Sequence, residues 1–375
     1  MRHLQSIALF GLLTVLPIMD GYAAESPDGI NYGVSFQNGG DDAIGPNYLT
    51  GHLHLENKLG YGEKIKLETT NSSDLEELLG VEVGYEQPFS VDWELKLNLF
   101  NGSWSRPGGH SGEFFNQEND DYSFGASINR TYAPNDKFAS LIILGFQTQD
   151  VTNKQRPRIA GFVGNNYKQK TRDIIASVAV EYSFSDNTGL YSDFAVVQGV
   201  DWFNPEHFRS NVDDTPTVLR YNGEFTHNLS TSFQIVIRGT LQWTPDRLNQ
   251  LKMFSLGGWE YASGYRGGES SGDIGGGARI ELNRVGNISL GEATKLYYKP
   301  FVFIDGGFTR VNDPINDPRT GEDEEDDEKA SAGVGLALET EYFHASVQVA
   351  YPLSGRSVFK DADDPRILFS VGLRN

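Results

Sequence analysis

The chain has 375 residues, with 51 acidic against 31 basic side chains, a net charge of −20 and no cysteine. So acidic a balance argues against nucleic acid as a partner, and a chain without cysteine must hold together without disulfides. Only 38% of residues are hydrophobic, while 12% are aromatic and 42 are glycine; that mix is poor for a large water-soluble core but suits strands that face lipid on one side and water on the other.

Residues 1–23 read as an export signal. Arg2 starts it, an apolar run extends from Leu4 to Ile18, and Gly21-Tyr22-Ala23 offers a small-x-small cleavage site. The run is shorter than the roughly 20 residues of a spanning helix, and no second long apolar stretch follows. Residues 24–375 are expected to form one domain.

From there the dominant periodicity is two, the signature of strands. Alternation predicts strands over 30–39, 45–58, 63–72, 78–89, 93–105, 121–133, 138–151, 171–185, 189–200, 218–229, 232–244, 275–285, 296–310, 331–343, 344–354 and 366–374. In 93–99, Trp93, Leu95, Leu97 and Leu99 alternate with Glu94, Lys96 and Asn98. In 174–184, Ile174, Ala176, Val178, Val180, Tyr182 and Phe184 share one face. The runs have the length of tilted membrane strands, and aromatics gather near their ends as an interfacial girdle requires. Short turns such as 59–62, 90–92, 134–136, 186–187 and 230–231 alternate with long polar connections at 106–120, 152–170, 201–217, 245–273 and 312–330. That asymmetry predicts an all-β fold, a transmembrane antiparallel β-barrel of about 16 strands with its long loops outside the cell.

One segment stands apart. Phe254-Ser255-Leu256-Gly257-Gly258 leads to Gly264-Tyr265-Arg266-Gly267-Gly268, and the sequence then reaches Phe303-Ile304-Asp305-Gly306-Gly307. Phe301, Phe303 and Asp305 share one face of a strand. Asp305 must turn to the lumen, because a charge on the lipid face is destabilising. A buried charge needs a partner, and the glycine-flanked Arg266 in the preceding long loop is the candidate, with Gly264, Gly267 and Gly268 allowing sharp turns.

The segment resembles the signature of the haemolysin-activator (two-partner-secretion) transporters and the related outer-membrane assembly barrels of bacterial surface antigen type. In those proteins a long loop carrying Arg-Gly-(aromatic) folds into the lumen and meets the Asp of a Phe-x-Asp-x-Gly strand. The resemblance implies a lumen ion pair Arg266–Asp305, a loop motif of Gly264, Tyr265, Gly267 and Gly268, and a strand motif that includes Phe303 and Gly307. Arg279-Ile280-Glu281-Leu282 matches the next family strand and places Glu281 in that motif. Two departures stand out. Gly268 occupies the usual aromatic position, and Tyr265 replaces an aliphatic residue, which makes it a candidate for supplying the missing ring.

The resemblance further implies a bacterial outer-membrane protein, inserted by the barrel assembly machinery, that moves or inserts a protein client. The alternative is a channel or structural barrel that passes small solutes. Transporters of this kind carry periplasmic POTRA domains before the barrel, and the stretch from Ala23 to Ile30 leaves no room for one. The expectation is therefore a barrel-only relative with a protein client or a separate periplasmic partner.

Other features read as structural. Glu322–Glu328 is a run of seven acids, a solvated loop rather than a cation site. His52 and His54 alternate onto one strand face and line the lumen, with no third ligand nearby to make a metal site. Phe369 and Leu373 give an alternating final strand, but Arg374-Asn375 follow in place of a terminal aromatic. No nucleophile elbow, Walker loop or placed carboxylate pair stands out, so neither a catalytic centre nor a cofactor is expected.

Overall fold

In the computed structural model, residues 29–38, 47–72, 78–107, 115–157, 166–202, 212–291, 294–312, 326–354 and 364–375 are described. Their strands are β1 (Ile30–Asn38), β2 (Asn47–Glu56), β3 (Lys64–Ser72), β4 (Leu78–Pro88), β5 (Trp93–Pro107), β6 (Phe115–Asn135), β7 (Phe138–Pro157), β8 (Asn166–Ser185), β9 (Thr188–Gly199), β10 (Thr217–Asn228), β11 (Phe233–Trp243), β12 (Phe254–Leu256), β13 (Ser270–Gly272), β14 (Ile274–Arg284), β15 (Gly286–Ser289), β16 (Lys295–Arg310), β17 (Asp326–Glu339), β18 (Phe343–Ser354) and β19 (Arg366–Arg374).

Sixteen of these close into one antiparallel barrel. Each pairs with the next of the sixteen along the chain, β11 with β14 across the long loop and β14 with β16 past the short β15. β12 and β13 form a two-stranded ribbon inside that loop, and β15 is a short continuation of the wall beside β16. β1 closes on β19 through five register pairs, from Gly33↔Arg374 to Gln37↔Ser370. The Asn38 side chain then lengthens the seam, because its Nδ2 donates to the Ile367 carbonyl at 2.8 Å and its Oδ1 accepts the Phe369 N–H at 2.5 Å.

The faces follow the pleat. On β16, Val302 and Ile304 are about half exposed while Phe301, Phe303 and Asp305 are buried, so the apolar pair meets lipid and the aspartate meets the lumen. On β6 the outward residues Tyr122, Phe124, Ala126, Ile128 and Tyr132 define an apolar span of the length a tilted membrane strand needs. Tyr122 and Phe146 mark one edge. Phe89, Trp93, Tyr132, Phe138, Tyr182 and Phe184 mark the other, where the short turns lie. These are the two aromatic girdles.

The sequence expectation ended β6, β7 and β8 too early at the long-loop end. They have 21, 20 and 20 residues, so parts of the expected loops 106–120 and 152–170 are strand. Lipid-facing alternation stops once a strand leaves the hydrocarbon, and the outward residues there become Asp120, Thr148, Asp150, Thr152, Lys154, Lys168 and Lys170. Backbone pairing continues because the neighbouring strand is still present. Of the acidic run, Asp326–Glu328 begins β17, and residues 322–325 lie outside the described residues.

Candidate functional site

Asp305 lies in one row that crosses the inner wall. Antiparallel register places Glu224 opposite Arg238, Arg238 opposite Arg279, Arg279 opposite Asp305, and Asp305 opposite Ser331. The Asp305 side chain is fully buried. Its Oδ2 accepts from Arg279 Nη1 at 3.2 Å and from the Ser263 hydroxyl, and its Oδ1 accepts from the Ser331 hydroxyl. The Ser263 N–H also points at the carboxylate, 3.2 and 3.3 Å from its two oxygens. Ser263 belongs to the long loop, so this carboxylate ties the loop to the wall.

Arg279 is equally committed. Its Nε donates to Glu281 Oε1 at 2.7 Å, Nη1 to Ser263 Oγ at 3.0 Å, and Nη2 to Gln348 Oε1 at 3.0 Å. The guanidinium carbon lies 3.7 Å from the centroid of the Phe303 ring, a cation–π contact in a water-poor setting. Glu281 also accepts from Arg238 Nη1 at 3.1 Å, and Arg238 Nε donates to Glu224 Oε2 at 2.7 Å. Charges of both signs therefore alternate, from the half-buried Glu224 and Arg238 to the buried Glu281, Arg279 and Asp305, as the cost of an isolated buried ion requires. At the loop tip, burial pushes the Glu260 carboxyl above its ordinary range, and Arg238 pulls the other way.

The rest of the loop is held at separated points. At its base, Asp273 Oδ1 accepts the Leu248 N–H at 2.9 Å and Oδ2 accepts the Asn312 N–H at 2.8 Å. Lys252, in a short turn of 3-10 helix (Gln250–Lys252), pairs with Asp173 of β8, and both side chains are buried. Across the lumen, Trp259 Nε1 donates to the Asn38 carbonyl of β1 at 2.8 Å. The Tyr265 hydroxyl donates to the Ser354 carbonyl of β18, and Arg366 of β19 donates to the Tyr265 carbonyl. Lys329 of β17 lies 3.7 Å from Glu269 and 4.9 Å from the Tyr265 ring centroid. Apolar contact adds a core of Leu256, Ala262 and Tyr265 with Phe254 and Tyr261 against it. Two glycines make this approach possible. A Cβ on Gly277 of the wall would sit 2.4 Å from the Tyr261 ring, and one on Gly264 of the loop would sit 2.7 Å from the Pro352 nitrogen.

The profile of the haemolysin secretion/activation protein family ShlB/FhaC/HecB matches residues 24–338. The chain belongs to that family. Among solved structures, CdiB from Escherichia coli superposes with a TM-score of 0.78 at 17% identity, covering 92% of this chain and 63% of that one. CdiB from Acinetobacter baumannii gives 0.66 at 15% identity, covering 92% and 60%. BamA from Haemophilus ducreyi lacking POTRA domains 1-3 gives 0.60 at 16% identity, covering 92% and 70%. At these identities the likeness is one of fold, and this chain spans less than two thirds of either CdiB. None of the curated proteins matches.

In this ShlB/FhaC/HecB member the long loop does fold into the lumen and does meet Asp305, but with a different side chain from the one expected. The cation at Asp305 is Arg279, from the adjacent strand, and the loop contributes Ser263. Arg266 comes after a turn closed by the Tyr265 N–H and the Ala262 carbonyl at 2.9 Å. Its own N–H and carbonyl engage Glu269, at 3.0 Å to Oε2 and 3.2 Å to the N–H. With Gly264 pressed on β18, the chain has already turned past Asp305 when Arg266 is reached. Gly268 takes a left-handed φ of +69°, Gly267 lies beside Gly258, and Gly307 leaves room for Leu256. Tyr265 is the buried ring of the loop, 3% exposed. The missed residue had a signal. In Ala278-Arg279-Ile280-Glu281-Leu282 the two charges alternate with lipid-type residues, so Arg279 had to face the lumen beside Asp305's strand. His52 and His54 sit 5.1 Å apart by ring centroid, and His54 lies 3.5 Å from Glu68.

Proposed function

We propose that this barrel moves or inserts a protein client across the bacterial outer membrane, with the long loops outside, and that the loop over 244–273 must shift from its wall contacts for the client to pass. Family membership supports the transport reading. The observation that carries the mechanism is the chemistry of the tether. Asp305 holds the loop through hydroxyl and backbone N–H donors of Ser263, next to an arginine that keeps Glu281 when the loop leaves. Such polar contacts can be exchanged for water or client without exposing an unpaired charge. Export through a signal peptide over residues 1–23, insertion by the barrel assembly machinery and service by a periplasmic partner belong to the same reading.

The test is quantitative proteomics of the surface and secreted fractions, with and without this gene in its own host. Loss of one or a few exported proteins, with other barrels unchanged, is the expected result. An unchanged profile together with ionic conductance in planar bilayers would establish the channel reading instead.

A further inference from the structure

At the short-turn rim of the barrel, the hairpin of β15 and β16 outreaches the strands on either side of it. β14 and β15 follow β16 in a single register, which runs on from Asn283↔Phe301 to Ser289↔Lys295. β11 accompanies them only as far as Phe233↔Arg284 and then ends in its turn, where the Leu229 and Ser230 N–H groups donate to the Phe233 carbonyl at 2.8 and 3.2 Å. On the other flank, the pairing of β17 with β16 ends at Tyr297↔Glu339. Arg284 shares the outward face of β14 with the exposed Ile280 and Leu282. It marks where the hydrocarbon ends, because a charge on the lipid face is destabilising. Gly286–Ser289 lies past that mark, in water.

The free edge of β15 is defined residue by residue. In an antiparallel pair, alternate residues exchange hydrogen bonds with the partner strand, and those between them turn their N–H and C=O groups the other way. The Leu290 N–H donates to the Thr294 carbonyl at 2.8 Å, in register with Ile288↔Leu296 and Gly286↔Tyr298, so these residues bond toward β16. Val285 bonds in the opposite direction, its N–H donating to the Ser232 carbonyl at 2.8 Å. Asn287 and Ser289 come next on that side, where β11 has already ended. Among the described residues no strand pairs with them there. The side chains alternate as well. Ile288 and Leu290, 53 and 58% exposed, continue the outward face, while the exposed Lys295 stands opposite Ser289 on the other face.

We propose that this edge of β15 takes up an extended segment of a separate periplasmic protein as an added β-strand. A strand is the ligand form that fits, because the open N–H and C=O groups recur at every second residue. In strand addition the main-chain hydrogen bonds give affinity and alternate side chains give specificity. Ile288 and Leu290 call for apolar side chains on one face of the incoming strand, and Lys295 calls for an acid on the other. The edge is short, as protected edges are, so main-chain pairing needs these side-chain contacts to be selective. The proposal goes beyond the transport reading and takes from it only the side of the membrane on which the hairpin stands.

The probe is a fluorescein-labelled peptide, Val-Thr-Val-Glu-Val-Thr, with a twin N-methylated at every residue. Fluorescence anisotropy is read on the full barrel in detergent micelles. Wild-type barrel is expected to bind the peptide and to bind the twin about tenfold more weakly or worse, since the twin has no backbone donor. Ser289→Pro removes an N–H that points away from β16, a position where an edge strand accepts proline. Shown to be folded by heat-modifiable migration on gels, this variant is expected to lose affinity to the same degree. Lys295→Glu is expected to prefer a peptide with lysine in place of glutamate. Equal binding of the two twins, no binding by the wild type, or unchanged affinity in folded Ser289→Pro would each overturn the proposal. So would dimerisation of the barrel in micelles that Ser289→Pro abolishes, which would assign the edge to a second copy of this chain. The twin comparison needs no variant, so a proline variant that fails to fold leaves the test intact. Peptide binding with an unchanged secreted profile in the deletion host would sink the transport reading alone. Loss of exported proteins without discrimination between the twins would sink this proposal alone.

Discussion

Replacement of Asp305 by alanine is the most direct perturbation of the loop tether. It removes the acceptor for the Ser263 N–H, the Ser263 hydroxyl, the Ser331 hydroxyl and Arg279 Nη1. Arg279 keeps Glu281 at 2.7 Å, so the change falls short of stranding a full charge. Hydrogen bonds to a charged group are worth about 1.5–3 kcal/mol each, so the two that Ser263 donates sum to about 3 kcal/mol at the lower end of that range. Because Ser263 donates only in the docked state, most of the loss appears as easier undocking of the 259–266 segment. At 1.4 kcal/mol per tenfold, 3 kcal/mol raises the undocked population by roughly a hundredfold. Amide hydrogen exchange followed by mass spectrometry reads that population, since local opening governs the rate. Peptides spanning 259–266 are expected to exchange about a hundred times faster in Asp305→Ala, while wall peptides of β6 and β7 stay unchanged. Asp305→Asn retains one acceptor oxygen and is expected to fall between wild type and alanine. An unchanged exchange rate over 259–266 in both variants would refute the tether.

Further outcomes follow from the same geometry. Swapping the charges in Arg279→Asp/Asp305→Arg restores the Coulomb attraction but leaves Ser263 and Ser331 donating toward a guanidinium. The double variant should therefore recover little of the loop protection lost by Asp305→Ala, and full recovery in hydrogen exchange would contradict the multi-donor account. Lys252→Met leaves Asp173 buried without its cation, so peptides over 248–253 should exchange faster and the barrel should unfold at a lower temperature on heat-modifiability gels; no change in either would show that pair to be idle. At the short-turn end, the Leu59 N–H at 2.6 Å and the Tyr61 N–H at 3.1 Å hold the Glu63 carboxyl below its ordinary range. A depressed carboxyl stabilises above its unfolded pKa, and the contribution is lost as pH falls through the lower folded value. Protection of the 57–63 turn, corrected for intrinsic exchange, should thus hold above pH 5 and decline on strong acidification, whereas Glu63→Gln should show no such pH dependence.

Much of this protein is written in a period of two. In β16, the alternation of Val302 and Ile304 with Phe303 and Asp305 is enough to assign strand, lipid face and lumen face, because hydrocarbon rejects a carboxylate wherever the strand lies. The same rule, with the turn asymmetry, gave an expectation of about 16 strands, and the glycine-rich stretch around Arg266 marked the loop that enters the lumen. The true lengths of β6–β8 were hidden, since the alternation that reveals a membrane strand ends at Tyr122 and Phe146, whereas backbone pairing continues between neighbours. The partner of Asp305 was hidden for a related reason. Sequence could show that Arg266, Arg279 and Arg238 were lumen candidates, but which guanidinium meets the carboxylate depends on register across β14 and β16 and on where the loop turns. Those are set by barrel closure, Gly264 against β18 and Tyr265 against Ser354. Side-chain periodicity is local and legible in one dimension; pairing across strands is fixed only when the sheet closes on itself.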